Sequence, residues 1–216
     1  MKPLLLLNFK NFSESTGDNA VKLAQIVEKF AANSSFEIAI APSIIDLPNV
    51  KQVVSRVSLF SQHVDLCAGG ICTGGFPVTL AKLYCSGTLL NHAERQISLE
   101  ALGKTIANCK ENNLKVVACA NSISDAQKIV AFAPDFIAVE PLELIGTGIS
   151  VSTAQPELVT NSVKEIKKMN KNIGVLVGAG ISTASDVKLS IKLGADGALV
   201  ASRFSQSKKP EEWLEA

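Results

Sequence analysis

Charge of one sign is what this chain lacks most plainly: 21 Lys and Arg stand against 20 Asp and Glu, a formal net charge of +1. Such a balance offers nothing to a nucleic acid or to an anionic membrane surface, and neither partner is expected; any anion site must be built locally. Long apolar runs are missing too, since no stretch reaches the ~18 residues that cross a bilayer. The apolar run Leu4–Leu7 meets Asn8 and Lys10 after four residues, which predicts a buried strand rather than a leader. There are two histidines, and the five cysteines (Cys67, Cys72, Cys85, Cys109, Cys119) have no CxxC spacing, so no metal is expected. Odd in number, these cysteines are read as reduced thiols of a cytoplasmic protein that fill apolar space. A Walker loop, a Gly-x-Ser-x-Gly elbow and a carboxylate pair placed for glycoside hydrolysis are also absent.

What is present is a repeated alternation. Short apolar runs recur at Leu4–Leu7, Phe36–Ile40, Val57–Phe60, Gly87–Leu90, Leu114–Ala118, Phe136–Val139, Ile173–Val177 and Gly197–Val200. Helical patterns follow most of them. Asp18 opens one with Val21, Ala24, Ile26, Val27 and Phe30 on its apolar face, and Asp46 opens another carrying Val50, Val53 and Val54. Pro77–Tyr84 reads as helical; Ser98 caps a helix through Cys109, and Ser122 or Ser124 one through Ala131. Pro156 suits the first turn of a helix to about Met169. Ser182 or Thr183 caps the next, through Leu193, which Gly194 stops; Pro210–Leu214 is a last stub. Strands apolar on both faces, each followed by a helix, predict parallel strands buried on both sides. Eight such units in this length fit a closed (β/α)8 barrel of eight parallel strands with outer helices, one domain over residues 1–216. An open doubly wound sheet would carry a Gly-x-Gly-x-x-Gly turn after its first strand, where this chain has Asn8-Phe9-Lys10.

In such a barrel function gathers at the C-terminal ends of the strands. Those ends carry Asn8 and Lys10, Gln62, His92, Glu140, the turn Gly178–Ser182 and the turn Ala201-Ser202. Small-residue turns let backbone N–H groups approach a ligand, so the last two predict a phosphate site. A carboxylate, an imidazole and a cation around one phosphate site suggest proton abstraction beside a carbonyl. Glu140 takes the proton, while His92 and Lys10 stabilise the enediolate oxygen. After Glu140, Pro141 is stiff and Gly146 and Gly148 are permissive, as a lid that moves about a few hinge residues requires. His63 is read as structural.

These residues resemble the triosephosphate isomerase family, in its short archaeal-type branch. The matching motifs are Asn8-Phe9-Lys10, Gly87-Thr88-Leu89-Leu90-Asn91-His92-Ala93-Glu94-Arg95, Glu140-Pro141 through Ile145-Gly146-Thr147-Gly148, Gly178-Ala179-Gly180-Ile181-Ser182 and Ala201-Ser202. They run in family order from end to end, and Asn-His-x-Glu and Ile-Gly-Thr-Gly are the specific pieces. The resemblance implies the TIM barrel fold and a cofactor-free interconversion of dihydroxyacetone phosphate and D-glyceraldehyde 3-phosphate in glycolysis and gluconeogenesis. It implies Glu140 as the base, His92 as a neutral electrophile, and Lys10 as substrate-binding cation with Asn8 orienting the site and Glu94 behind Lys10. The lid Leu142, Glu143, Leu144, Ile145, Gly146, Thr147, Gly148 would bring Ile145 and Gly146 to the phosphate, and Gly180, Ala201 and Ser202 would complete the cradle. Thr73 would enter a neighbouring subunit, and short outer helices imply a dimer of dimers. Ala93, Val139 and Cys72 stand where the family usually has Ser, Tyr and, in the archaeal branch, His. Other phosphate-binding barrels, such as indole- or thiamine-pathway synthases, share the small-residue turns but are not expected to combine Lys10, His92 and Glu140 with this lid. A catalytically silent metabolite-binding barrel is disfavoured by the intact Glu140.

Overall fold

The computed structural model describes residues 2–67, 71–141 and 150–215. Eight parallel strands close in sequence order: β1 (Leu4–Asn8), β2 (Glu37–Ala41), β3 (Ser58–Ser61), β4 (Gly87–Leu90), β5 (Lys115–Ala120), β6 (Phe136–Val139), β7 (Gly174–Val177) and β8 (Gly197–Val200). β8 pairs back onto β1, with Leu4 opposite Gly197 and Leu7 opposite Val200. Around them lie α1 (Asp18–Ala31), α2 (Leu47–Lys51), α3 (Val78–Ala81), α4 (Leu99–Glu111), α5 (Ile123–Val130), α6 (Val151–Ala154), α7 (Pro156–Met169), α8 (Ala184–Lys192), α9 (Ser202–Ser205) and α10 (Pro210–Glu215). Among the described residues no helix is long and apolar enough to cross a membrane.

The pleat of the strands sorts the core into two layers. Successive side chains point to opposite faces, so Leu4 and Leu6, Ala39 and Ala41, Val117 and Cys119, and Leu176 and Leu199 fill the barrel interior. Leu5 and Leu7, Ile38 and Ile40, Val116 and Ala118, and Val175 and Val177 instead pack under the helices. This phase has a direct consequence at the rim. Counting on by two from the interior residues reaches Asn8 on β1, Gln62 after β3, Glu140 after β6, Gly178 after β7 and Ala201 after β8. Because all strands are parallel, every one of these tips lies at the same end.

Helix starts follow the chemistry of their caps. Ser98 accepts the N–H of Ala101 at 3.2 Å, and Ser122 that of Asp125 at 3.1 Å. Of the two candidates for α8, Thr183 is the cap, in a reciprocal box with Asp186, and Gly194 at φ 97° follows the helix end. Two expectations are modified. The helix over 77–84 is a single turn, Val78–Ala81, continuing as hydrogen-bonded turns to Cys85, because Ser86 already donates to Leu59 O ahead of β4. Asp46 does not cap its own helix; its carboxylate accepts the N–H of Gly17 at 3.1 Å and so fixes the start of α1.

The reading of all five cysteines as reduced thiols is corrected. Cys67 and Cys72 are joined as a disulfide, with Cα atoms 5.7 Å apart. The two cysteines are five residues apart, a separation that a search for CxxC spacing misses. Cys85, Cys109 and Cys119 are free and buried, as expected of space-filling thiols.

Candidate active site

Lys10 is placed by its backbone before its charge matters. The Oδ1 atom of buried Asn8 accepts the N–H of Lys10 at 3.0 Å, closing a tight turn just past β1. That turn puts Lys10 at φ 53°, a left-handed conformation costing roughly 1–2 kcal/mol for a residue with a Cβ. Gln62 holds it there, its amide donating to Lys10 O at 2.8 Å and to Ala41 O at 3.1 Å. The ammonium then meets Glu94 Oε1 at 2.5 Å. Glu94 is more than half exposed, so this pair orients Lys10 rather than stabilising the fold by much more than ~1 kcal/mol.

His92 lies just beyond β4, buried at 8% exposure. The backbone N–H of Glu94 donates to its Nδ1 at 3.2 Å. With Nδ1 turned to a backbone donor, Nε2 is the ring nitrogen left facing the pocket. Nε2 faces Glu140 Oε2 at 3.9 Å, too far for a hydrogen bond, and both atoms belong to residues that line the same pocket.

Glu140 is only 3% exposed, and among the described residues its Oε2 has no hydrogen-bond partner. A buried carboxylate oxygen left unpaired is costly in stability terms and calls for a partner from outside the protein. Beneath it sits Cys119, whose thiol burial pushes well above 9, helped by the charge of Glu140 and a hydrogen bond to it. On the adjacent strand Gly178 leaves the carboxylate its room: a Cβ there would come within 2.5 Å of Glu140 Cγ and 2.7 Å of its Oε1.

Opposite these three side chains lies an anion cradle. Among the described residues the backbone N–H groups of Gly180, Ile181, Ser202 and Arg203 have no acceptor within the protein. Donors of this kind, converging from two turns, suit a phosphate. Trp213 Nε1 fixes the first turn by donating to Ser182 O at 2.8 Å, and Ser182 Oγ donates to Gly180 O at 2.9 Å. Asp186 takes the N–H groups of Ser182 and Thr183 at 3.0 and 2.8 Å. Burial would raise the Asp186 carboxyl, but these amides and the Thr183 hydroxyl outweigh it and hold it below the ordinary 3.8. A carboxylate with a depressed folded value stabilises above 3.8 and loses that contribution as pH falls through the folded value. Asp186→Asn is therefore expected to melt below the parent at pH 7, the gap closing under acid; thermal unfolding across pH checks it.

One pocket is thus lined by Lys10, His92, Glu140, Gly178, Gly180, Ile181, Ser182, Ala201, Ser202 and Arg203. Asn8 lines the adjoining cavity with Gln62, His63, Glu94 and Arg95, and shares Lys10 and His92 with the first. Thr73 is exposed on the loop after β3, away from both cavities of its own chain. Ile145, Gly146 and the rest of the expected lid, 142–148, lie outside the described residues. His63 is buried, 3.4 Å from Asp65, and burial is the main reason its pKa is lowered. Sequence reasoning missed the clamp by Gln62, the thiol under Glu140, the role of Asp186 and Arg203 at the rim. The phase of the strands signals the first two, and the third is a capping box in plain sequence, Thr183-x-x-Asp186.

The profile of the family described as triosephosphate isomerase matches residues 3–215. The chain belongs to the triosephosphate isomerase family. A triosephosphate isomerase of Methanobrevibacter smithii is 42% identical over 213 residues, 98% of this chain and 96% of that one. Proteins of the same name from Methanocaldococcus jannaschii and Archaeoglobus fulgidus are 40% and 39% identical, covering 97% and 98% of this chain and 95% of each relative. Within this family the chain shares the compact length of these relatives, and the barrel expected from the alternation of strands and helices is the one observed.

Proposed function

We propose that this chain is a triosephosphate isomerase, interconverting dihydroxyacetone phosphate and D-glyceraldehyde 3-phosphate without a cofactor, in glycolysis and gluconeogenesis. The observation that carries the reading is the meeting of an imidazole, an ammonium and an unpaired buried carboxylate oxygen beside a cradle of free amides.

The substrate phosphate rests on the amides around Gly180, Ala201 and Ser202. Glu140 removes a proton from the carbon next to the carbonyl and returns it to the neighbouring carbon. Negative charge grows on the carbonyl oxygen as the proton leaves. The Nε2–H of His92 and the ammonium of Lys10 stabilise it, in a site where water competes little. Asn8 orients the Lys10 turn and Glu94 orients its charge. The enediolate is prone to lose phosphate if solvated. A lid over Leu142–Gly148, gripping phosphate through Ile145 and Gly146, excludes that solvent, as loop closure does in this family.

The protein is further proposed to be one cytoplasmic domain that assembles as a dimer of dimers. Exposed apolar residues cluster around the loop after β3, with Leu66, Ile71, Leu80 and Leu83 47, 88, 45 and 64% exposed. A surface of that kind favours a protein partner, and Thr73 would reach toward Lys10 of the partner subunit. Sedimentation at micromolar concentration is expected to give tetramers; dimers alone would remove the second interface.

The activity is tested by a coupled assay with D-glyceraldehyde 3-phosphate, with and without a phosphorylated two-carbon hydroxamate or carboxylate. Turnover that this inhibitor competes away is expected. Binding of the inhibitor without turnover would leave a metabolite-binding barrel instead.

A further inference from the structure

Trp213 is the only tryptophan of the chain and stands on the last helix, α10; it does not line the pocket described above. Its side chain nevertheless reaches both halves of the amide cradle. The indole Nε1–H donates to Ser182 O at 2.8 Å, on the turn after β7. The ring meets Phe204 of α9 edge-on, with centroids 5.5 Å apart, on the helical turn just past β8. We propose that Trp213 is a positioning residue for phosphate binding, a brace that keeps the two turns of the cradle convergent. This role presupposes that the cradle takes phosphate.

Each arm of the brace acts on backbone that carries unpaired donors. On the β7 side, Ser182 Oγ in turn donates to Gly180 O at 2.9 Å. Two hydrogen bonds therefore run from the indole through Ser182 to Gly180, whose own N–H has no acceptor among the described residues. On the β8 side Phe204 is fully buried, and the N–H groups of Phe204 and Ser205 both donate to Ala201 O at 3.0 Å. Holding the ring of Phe204 thus holds the turn that leaves the amides of Ser202 and Arg203 unpaired among the described residues. Phe204 also meets Phe9, between Asn8 and Lys10, with centroids 6.2 Å apart, so the aromatic contact continues to the Lys10 turn. The base of the brace is fixed as well: Leu214 is buried, and α10 packs on α1, α8 and α9.

Amides on short turns bind an anion well when they already converge, because ordering them at the moment of binding costs affinity. Removing the indole donor transfers that ordering to the binding step. One hydrogen bond to a neutral acceptor is worth a factor of about five in an equilibrium. The coupling is reciprocal: a brace that favours bound phosphate is itself favoured by bound phosphate, and by the same factor.

Titration of the full-length protein with inorganic phosphate, followed by phosphorus NMR, reads the cradle without turnover. Trp213→Phe keeps an aromatic ring and removes the donor, and its Kd for phosphate is expected to be about fivefold higher than the parent's. In steady-state kinetics KM for the triose phosphates should rise by a similar factor with kcat nearly parental, the pattern of binding lost equally from substrate and transition state. In the parent protein, solvent exchange of the single indole N–H is expected to slow about fivefold at saturating phosphate. A general loss of stability would lower the melting temperature of the variant and leave phosphate affinity alone. Parental affinity in the variant, or indole exchange indifferent to phosphate, would overturn the brace and leave the cradle standing. A parent protein that binds no phosphate would overturn the cradle, and the brace with it.

Discussion

Replacing Glu140 by aspartate is expected to lower turnover about 100-fold with little change in stability. Glu140 sits at an interior-facing position just past β6, tethered by its N–H to Ala120 O at 2.9 Å, so its backbone stays where it is and the carboxylate retreats by about one methylene. The neighbours that define the reacting position, His92 Nε2 above all, remain in place. A base that no longer reaches the substrate carbon loses efficiency steeply, because proton transfer needs hydrogen-bond approach. Steady-state kinetics with both triose phosphates check this, and the loss should lie mainly in kcat, since the amide cradle is untouched. A variant with nearly parental kcat would remove Glu140 from the role of base.

The second large effect is expected from a residue that has no side chain to act with. Gly178→Ala places a methyl group within 2.5–2.8 Å of Cγ, Cδ and Oε1 of Glu140. The neighbour is the proposed base itself, and it is enclosed: Cys119 is hydrogen-bonded to it and only 3% of the residue meets solvent. The carboxylate must rotate out of the position facing His92, and kcat is expected to fall on the order of 100-fold, as for a displacement of about 1 Å. Stability is expected to fall as well, by about 1–3 kcal/mol for overpacking. The double variant Gly178→Ala with Glu140→Asp separates the two effects. The shorter acid relieves the overlap, so stability should partly recover while turnover stays low; additive losses of stability would show that the methyl group acts elsewhere.

Most of the barrel is legible in sequence because its strands are short, apolar on both faces and regularly spaced. Four-residue runs such as Gly87–Leu90, Phe136–Val139 and Gly197–Val200 coincide with the observed strands. The site is legible for a related reason: in a parallel barrel the residue at each strand tip shares one rim with all the others, so Lys10, His92 and Glu140 meet although far apart in the chain. Legibility ends where a residue acts through a contact that has no local pattern. Gln62 clamping Lys10 O spans 52 positions, and Asp46 binding the amide of Gly17 spans 29. The Cys67–Cys72 link joins residues five apart, a spacing that no metal or redox motif announces. Gly178 is legible as part of a phosphate turn, yet its clearance for Glu140 follows only from two neighbouring strands in register.

The central claim is that Glu140 carries a proton between adjacent carbons, and isomerisation in deuterium oxide tests it most directly. A carboxylic acid proton exchanges with solvent, whereas a hydrogen moved directly between carbons does not. Glyceraldehyde 3-phosphate formed from dihydroxyacetone phosphate, trapped as it appears and examined by proton NMR, is expected to carry deuterium at C2. Glu140→Gln should abolish both product and label. Product formed at the full rate with only the substrate's own hydrogen at C2 would contradict the account.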